Sequence, residues 1–386
     1  MESSKCIGIY VHIPYCTRRC LYCDFYTEGA VRAEWPRYVN AVLNEFSLRL
    51  RNEEGEIFRG CDSYTLYVGG GTPSLIPAGA FMQLSEGLQK MAGGKPSEFT
   101  IEVNPDDVDE QLANVWAASG VDRVSMGVQS LCDSELKAIG RRHDAFTARK
   151  SYDVLRERFG NISLDMMFGL PGQSPESLAH TVEEFIEMNP GHISAYSLMY
   201  EERTALTRLR DTGRVQETDE QDCVGMFRSI SESLERAGYE QYEISNYAIP
   251  GHRSLHNSNY WRGLPYIGLG AGAHSFNGVS LRTWNRPDAK SYMECMENER
   301  RDHSMTYTEE LTDDELREEM IMTRLRTREG LDLKDYGERF GLSSLVSLTQ
   351  RAKPIVARGL LRTDGQRLAL TKDGVMVSDD IISDLF

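Results

Sequence analysis

The sequence predicts an α/β protein: a partial, TIM-like (β/α)6 barrel followed by a C-terminal, mainly α domain of winged-helix-like order. Three observations carry this. Six short runs rich in β-branched and aromatic residues recur along the first half of the chain, amphipathic segments separate them, and beyond residue 300 the pattern changes to helices and one tight hairpin. Strands that alternate with helices imply a parallel sheet, because a parallel neighbour is reached only through a crossover connection.

The runs are IGIYVHI, YTLYV, FTIEV, RVSMGV, ISLDMMF and HISAYSL. Helical patterns lie between them near 37–54, 77–91, 109–119, 145–159 and 174–188, several entered through Pro, Asp or Ser, which suit a helix start. A charged break near 300–310, RDHSMTYTEE, divides the chain into domains at 1–300 and 301–386. In the second domain three helices precede GLLRTDGQRLALT, a hairpin turned at Thr363–Gln366. Winged-helix order makes DNA binding a rival function. The recognition helix expected near 344–358 carries only Arg351, Lys353 and Arg358, with Pro354 interrupting it, amid many Asp and Glu, so a docked module that covers the barrel is the better expectation.

Composition narrows the class. With 40% hydrophobic and 26% charged residues, a chain of 386 can bury a large core. No apolar run reaches membrane-spanning length and the opening MESSKC lacks the regions of a signal peptide, so the cytoplasm is the expected compartment. A formal net charge of −16 argues against non-specific affinity for nucleic acid or anionic lipid. Of eight cysteines, Cys6, Cys61, Cys132, Cys223 and Cys295 are scattered like small buried apolar residues; only Cys16, Cys20 and Cys23 cluster.

In a fold of this kind the reactive face is built by the loops that leave the carboxyl ends of the strands. Those loops are polar and glycine-rich. CTRRCLYCDF with its three cysteines follows the first run, GGGTPS (Gly69 to Ser74) the second, Glu102 and Asn104 close the third, Gln129 the fourth, Asp165 lies within the fifth, and MYEERT follows the sixth; all six are expected at one mouth. Clustered thiolates bind zinc or iron–sulfur clusters. A structural zinc site wants four ligands, but a second C-x-x-C pair is missing and His12 lies inside a strand. Three ligands from one loop leave one iron of a cubane open, as a catalytic site requires; zinc or free thiols are the alternatives.

Cys-x3-Cys-x2-Cys with Tyr22 before its last cysteine, followed by GGGTP after the second strand, resembles the radical S-adenosylmethionine (SAM) superfamily over residues 1–300. The resemblance implies a radical SAM barrel with a 4Fe–4S cluster on Cys16, Cys20 and Cys23, whose open iron takes the amino and carboxylate groups of S-adenosyl-L-methionine, and an electron donor that lets the sulfonium be cleaved. It also implies SAM contacts at Gly70, Gly71, Thr72, Glu102, Gln129, Arg141 and Asp165, and at Tyr10 and Tyr22. Glycines let a backbone approach a ligand, and an acidic strand end accepts from ribose hydroxyls. Each has a plainer reading: a tight turn, a solvated carboxylate, a satisfied polar residue, a core aromatic.

The opening VHIPYCTRRCLYCDF resembles oxygen-independent coproporphyrinogen III oxidase and its relatives. The decarboxylase proper carries C-x3-C-x2-C-x-C and a closing N-terminal arm; here Phe25 takes the last place and nine residues precede Tyr10, and both features count against decarboxylation. HNSNYW, His256 to Trp261, resembles the His-Asn-x-x-Tyr-Trp motif of the heme-chaperone branch of this family. That resemblance implies heme as ligand, with His256 as axial donor, Tyr260 and Trp261 as cover and Arg253 and Arg262 as propionate partners; a loop that merely stitches the barrel end to the next segment of chain is the alternative. GLGAGAHSF also resembles the family, with His274 where the decarboxylase contacts its cofactor. The expected function is a radical SAM-type heme chaperone that passes heme to acceptor proteins, membrane heme proteins among them. The alternative is oxidative decarboxylation of coproporphyrinogen III.

Overall fold

A computed structural model describes residues 5–30, 34–298 and 305–386. Six parallel strands lie side by side in chain order: β1 (Cys6–Ile13), β2 (Ser63–Gly70), β3 (Glu98–Val103), β4 (Arg123–Gln129), β5 (Asn161–Phe168) and β6 (His192–Ser197). Helices Trp35–Leu50, Ala78–Met91, Glu110–Ala118, Ala145–Arg156 and Pro175–Met188 make the crossovers. Asp109, Asp144 and Ser174 cap three of them by accepting from the first turn. The helix expected at 37–54 stops earlier. Asn52 leaves helical geometry (φ −107, ψ −170) and a second helix, Glu53–Arg59, starts where Gly55 packs against the Leu50 carbonyl, closer than any Cβ permits.

The strands alternate strictly. Ile7, Ile9, Val11 and Ile13 of β1, Leu66 and Val68 of β2, Ile101 of β3, Val124 and Met126 of β4 and Leu164 and Met166 of β5 pack against the helices in one apolar core. The residues between them turn inward and are mostly polar: Tyr10, His12, Thr65, Tyr67, Thr100, Glu102, Arg123, Ser125, Ser163 and Asp165. The result is a partial barrel with a polar lumen.

Among the described residues the sheet stays open and continues on both sides to twelve strands. Beyond β1 come Tyr266–Leu269, parallel to it, and then the antiparallel strands His274–Phe276, Leu281–Asn285 and Thr306–Glu310. The last of these corrects the expected boundary. Residues 301–304 of the charged break lie outside the described residues, but Thr306–Glu310 belongs to the barrel sheet, and the separate C-terminal core is built from Met320 onward. That core joins helix Asp313–Leu325, helix Leu333–Ala357 and the expected hairpin Leu361–Thr363 with Arg367–Leu370, which Leu331–Asp332 extends to three strands. Helices Lys372–Val375 and Ser378–Leu385 follow and were not foreseen. Pro354 does not interrupt its helix. The helix runs on past it to Ala357, and the break falls instead at Gly341 (φ 86, ψ 163).

One buried carboxylate ties the first crossover helix to the added strands. Glu45 accepts from Arg49 Nε (2.9 Å), the Gly270 amide (2.9 Å), Asn285 Nδ2 (2.8 Å) and the Tyr292 hydroxyl (2.7 Å). Removing the carboxylate leaves the buried Arg49 with only Glu54, among the described residues, as counter-charge and strands the Gly270, Asn285 and Tyr292 donors. Glu45→Ala is therefore expected to destabilise the fold by about 3–5 kcal/mol, read as a lowered urea midpoint.

Candidate functional site

The cysteine loop begins where β1 ends. Tyr15–Cys16 pairs in parallel with Glu28–Gly29, which closes the loop at its base. Inside it the Cys23 amide donates to the Cys20 carbonyl (3.3 Å), and Arg19 donates to the carbonyls of Cys23 (3.0 Å) and Phe25 (3.2 Å). Cys16 Sγ lies 3.2 Å from Thr72 Oγ1, and Arg141 donates to Cys20 Sγ at 3.4 Å. All three cysteines line one cavity of about 380 Å³. Burial pushes the Cys16 and Cys23 thiols up, so they stay protonated at neutral pH until a metal displaces the proton. Among the described residues no three His, Cys, Asp or Glu side chains converge at single-ion spacing. Thiolates that each hold a different iron of a cubane stand further apart than the ligands of one ion. The donor set, soft sulfurs beside a guanidinium and facing a cavity, fits an iron–sulfur cluster.

Around the same cavity stand Tyr22, Gly70, Gly71, Thr72, Glu102, Gln129, Arg141 and Asp165. Gly70 has φ +108 and its backbone crowds the His12 ring, while a Cβ on Gly71 would strike the Ile13 and Tyr15 carbonyls. The glycines are thus required by close packing against the cysteine loop as well as by any ligand. Glu102 is not a solvated carboxylate. It accepts from the Tyr67 hydroxyl (2.8 Å) and the Gly70 amide (3.0 Å), and burial pushes its pKa up to about 7. Gln129 holds φ +70 at a β-bulge, a conformation that costs a non-glycine residue on the order of 1–3 kcal/mol and is found mostly at functional sites. Arg141 bridges Cys20, Asn104 and the Gly127 carbonyl. Burial raises the Asp165 carboxyl, against the hydroxyls of Ser125 and Ser163.

Several expected residues fall elsewhere. The loop at 199–204 does not reach this cavity; β6 contributes Ser194 and Tyr196 instead. Tyr10 lines a second, aromatic cleft, its hydroxyl 3.0 Å from His12 Nδ1. His256 is the main correction. It is 1% exposed inside the lumen, with Nδ1 2.8 Å from Thr65 Oγ1 and Nε2 2.9 Å from the Tyr260 hydroxyl, so neither nitrogen is open to an iron. Burial and Arg123 lower its pKa to about 3, which keeps it neutral. Arg253 is already paired with Glu240 and Glu329, and Arg262 lines a different hollow, so neither stands at the aromatic cleft. The scattered cysteines are only half-buried. Period-two counting back along β2 and β4 would have found Tyr67, Arg123 and Ser125, which also line the cysteine cavity. Arg123 is 1% exposed and its Nε has no hydrogen-bond partner.

The comparisons agree with this geometry. The Radical SAM superfamily profile matches residues 10–185, and the HemN C-terminal domain profile matches 311–377. The chain is 32% identical to the heme chaperone HemW of Bacillus subtilis (strain 168), over 96% of this chain and 97% of that one, and 35% identical to that of Escherichia coli (strain K12), over 75% and 76%. The solved coproporphyrinogen III oxidase HemN from Escherichia coli has the same fold, with a TM-score of 0.82 at 21% identity, over 99% of this chain and 90% of that one. The fold and the cysteine-lined mouth are those of the radical SAM class. Within it, the chain belongs to the HemW family.

The raised Glu102 pKa makes a testable contribution to stability. The folded chain keeps this proton above the pH at which the unfolded chain has lost it, so folding becomes less favourable as pH rises from the ordinary glutamate value of 4.5 towards about 7. Glu102→Gln is expected to flatten that decline, measured by urea unfolding at pH 5 and at pH 8.

Proposed function

We propose that this chain holds a 4Fe–4S cluster on Cys16, Cys20 and Cys23, binds SAM across the strand ends beside it, and carries heme to acceptor proteins. What supports this most directly is that the three thiols share one cavity with Glu102, Gln129, Arg141 and Asp165, in a chain related to heme chaperones over nearly its whole length. When bound, the cluster and SAM supply an open iron coordination position and a cleavable sulfonium. The protein's residues then do positional work. Glu102, oriented by Tyr67 and Gly70, suits ribose hydroxyls. Arg141 places a guanidinium N–H 3.4 Å from the Cys20 sulfur and so holds that side of the cysteine loop in place. Arg123, close enough to Glu102 and Asp165 to interact with both, offers an Nε–H without a hydrogen-bond partner to a ligand carboxylate. Among the described residues no helix is long and apolar enough to cross a membrane, so contact with membrane heme proteins would be made from the surface.

Ala at any one of Cys16, Cys20 or Cys23 is expected to abolish the brown absorbance and the bound iron after anaerobic reconstitution. Stoichiometric zinc in place of iron would overturn the cluster assignment.

The shared fold favours a second reading, oxidative decarboxylation of coproporphyrinogen III. Against it stands Phe25, 65% exposed at the place where the decarboxylase carries a fourth cysteine. Anaerobic incubation with reductant, SAM and coproporphyrinogen III is expected to yield no protoporphyrinogen; sustained product would promote the second reading.

A further inference from the structure

We infer that the heme sits in the aromatic cleft on the far side of Phe25, with His274 as the axial donor from the protein. The inference rests on the heme-carrying reading and adds the place and the ligand. Phe25 lines both this cleft and the cysteine cavity, so the two sites share a wall.

The cleft encloses about 650 Å³, in the range of pockets that hold ligands of this size. Its floor is formed by His274 and Trp284, the first two rings of a ladder across three strands whose third ring, Tyr307, lies outside the cleft lining. His274 pairs in register with Trp284, and Trp284 with Tyr307; the rings lie 5.5 Å apart at 10° and 5.6 Å apart at 25°. Stacked rings present a row of apolar edges, and a macrocycle lying across those edges is perpendicular to the rings, the orientation in which the in-plane lone pair of the His274 imidazole can reach its iron. One wall comes from Tyr260 and Trp261, so the aromatic half of HNSNYW reaches the cleft although its histidine does not line it.

Three histidines come into question, and only one has a free nitrogen. His12 uses Nδ1 towards Tyr10 and Nε2 towards the Tyr26 carbonyl. His256 spends both of its nitrogens on Thr65 and Tyr260. His274 is exposed to the cleft, and its ring nitrogens make no hydrogen bond to another described residue. His256 then acts as a positioning residue: its Nε2 fixes the Tyr260 hydroxyl and hence the ring that forms the wall. A single donor from the protein leaves the opposite axial position of the iron for an acceptor, as a carrier requires.

The test titrates full-length, cluster-reconstituted protein with ferric heme and, in parallel, with metal-free protoporphyrin IX. His274→Ala is expected to weaken heme binding by about tenfold or more, to change the Soret band, and to leave protoporphyrin affinity and iron–sulfur content unchanged. Added imidazole should restore the wild-type band. Trp284→Ala should weaken both ligands, because it removes part of the floor. His256→Gln should preserve the axial-nitrogen signature in the EPR spectrum. A wild-type Soret band and affinity in His274→Ala would overturn the assignment, as would loss of the axial-nitrogen signature in His256→Gln but not in His274→Ala; in either case heme binding by the wild type would still support the broader reading. If the wild-type protein takes up neither heme nor protoporphyrin, the heme-carrying reading falls and this inference with it.

Discussion

A polar side chain inside a barrel must find a partner, and here that demand falls on every second residue of six strands. Leaving such a group unpaired costs about 1–3 kcal/mol. Much of the lumen meets the demand with two chains of bonds, although Thr100 Oγ1 has no partner. Thr65 meets His256, Ser163 meets His192 (2.7 Å), and His192 meets Tyr242 (2.8 Å). The helix Leu255–Trp261 closes the floor. Glu98 accepts from the Leu255 and His256 amides at 2.9 Å each, so a buried carboxylate seats the helix through its first turn. Around the cysteine cavity the pairing gives out. Arg123 keeps an unpartnered Nε, Gln129 takes a strained backbone and Glu102 holds a raised pKa, and it is there that the cavity opens below the cysteines.

The same helix links the barrel to the C-terminal domain. Arg324 donates to the carbonyls of Trp261 and Arg262, and the Arg326 guanidinium lies 5.9 Å from the Trp261 ring centre. Arg253 reaches Glu329 across the same junction. A domain of winged-helix order therefore spends these arginines on the segment that carries HNSNYW, the behaviour of a docked module. Glu45 performs the matching task on the other flank, holding Gly270 and Asn285 and with them the strands that floor the aromatic cleft.

Much of this was legible in advance because its causes are local. Alternation of period two gave all six barrel strands to within about two residues at each end, since each strand has one face against helices and one towards the lumen. The cysteine spacing, the glycine run and the acidic and amide strand ends pointed to one mouth, because parallel strands leave their carboxyl ends on the same side. Glu102, Gln129, Arg141 and Asp165 were all found there. The strand Thr306–Glu310 was missed because TYTEE is polar and exposed at a sheet edge, and such a strand carries little hydrophobic pattern.

What could not be read is the direction in which a side chain is spent. HNSNYW names a histidine and two aromatics but not that the helix enters the lumen at a depth where Thr65 and Tyr260 take both imidazole nitrogens. Tyr10 stands on a strand beside the cysteine loop, yet Tyr67 and Glu102 occupy the cavity wall and leave Tyr10 to the neighbouring cleft. His274 gains a free imidazole on an aromatic floor only because the antiparallel strands put it in register with Trp284 and the chain folds both against Tyr260 and Phe25. Periodicity and spacing settle which residues share a face, since they depend on backbone geometry alone. Which of those residues is left with an open lone pair depends on partners supplied from remote parts of the chain, and only packing brings them together.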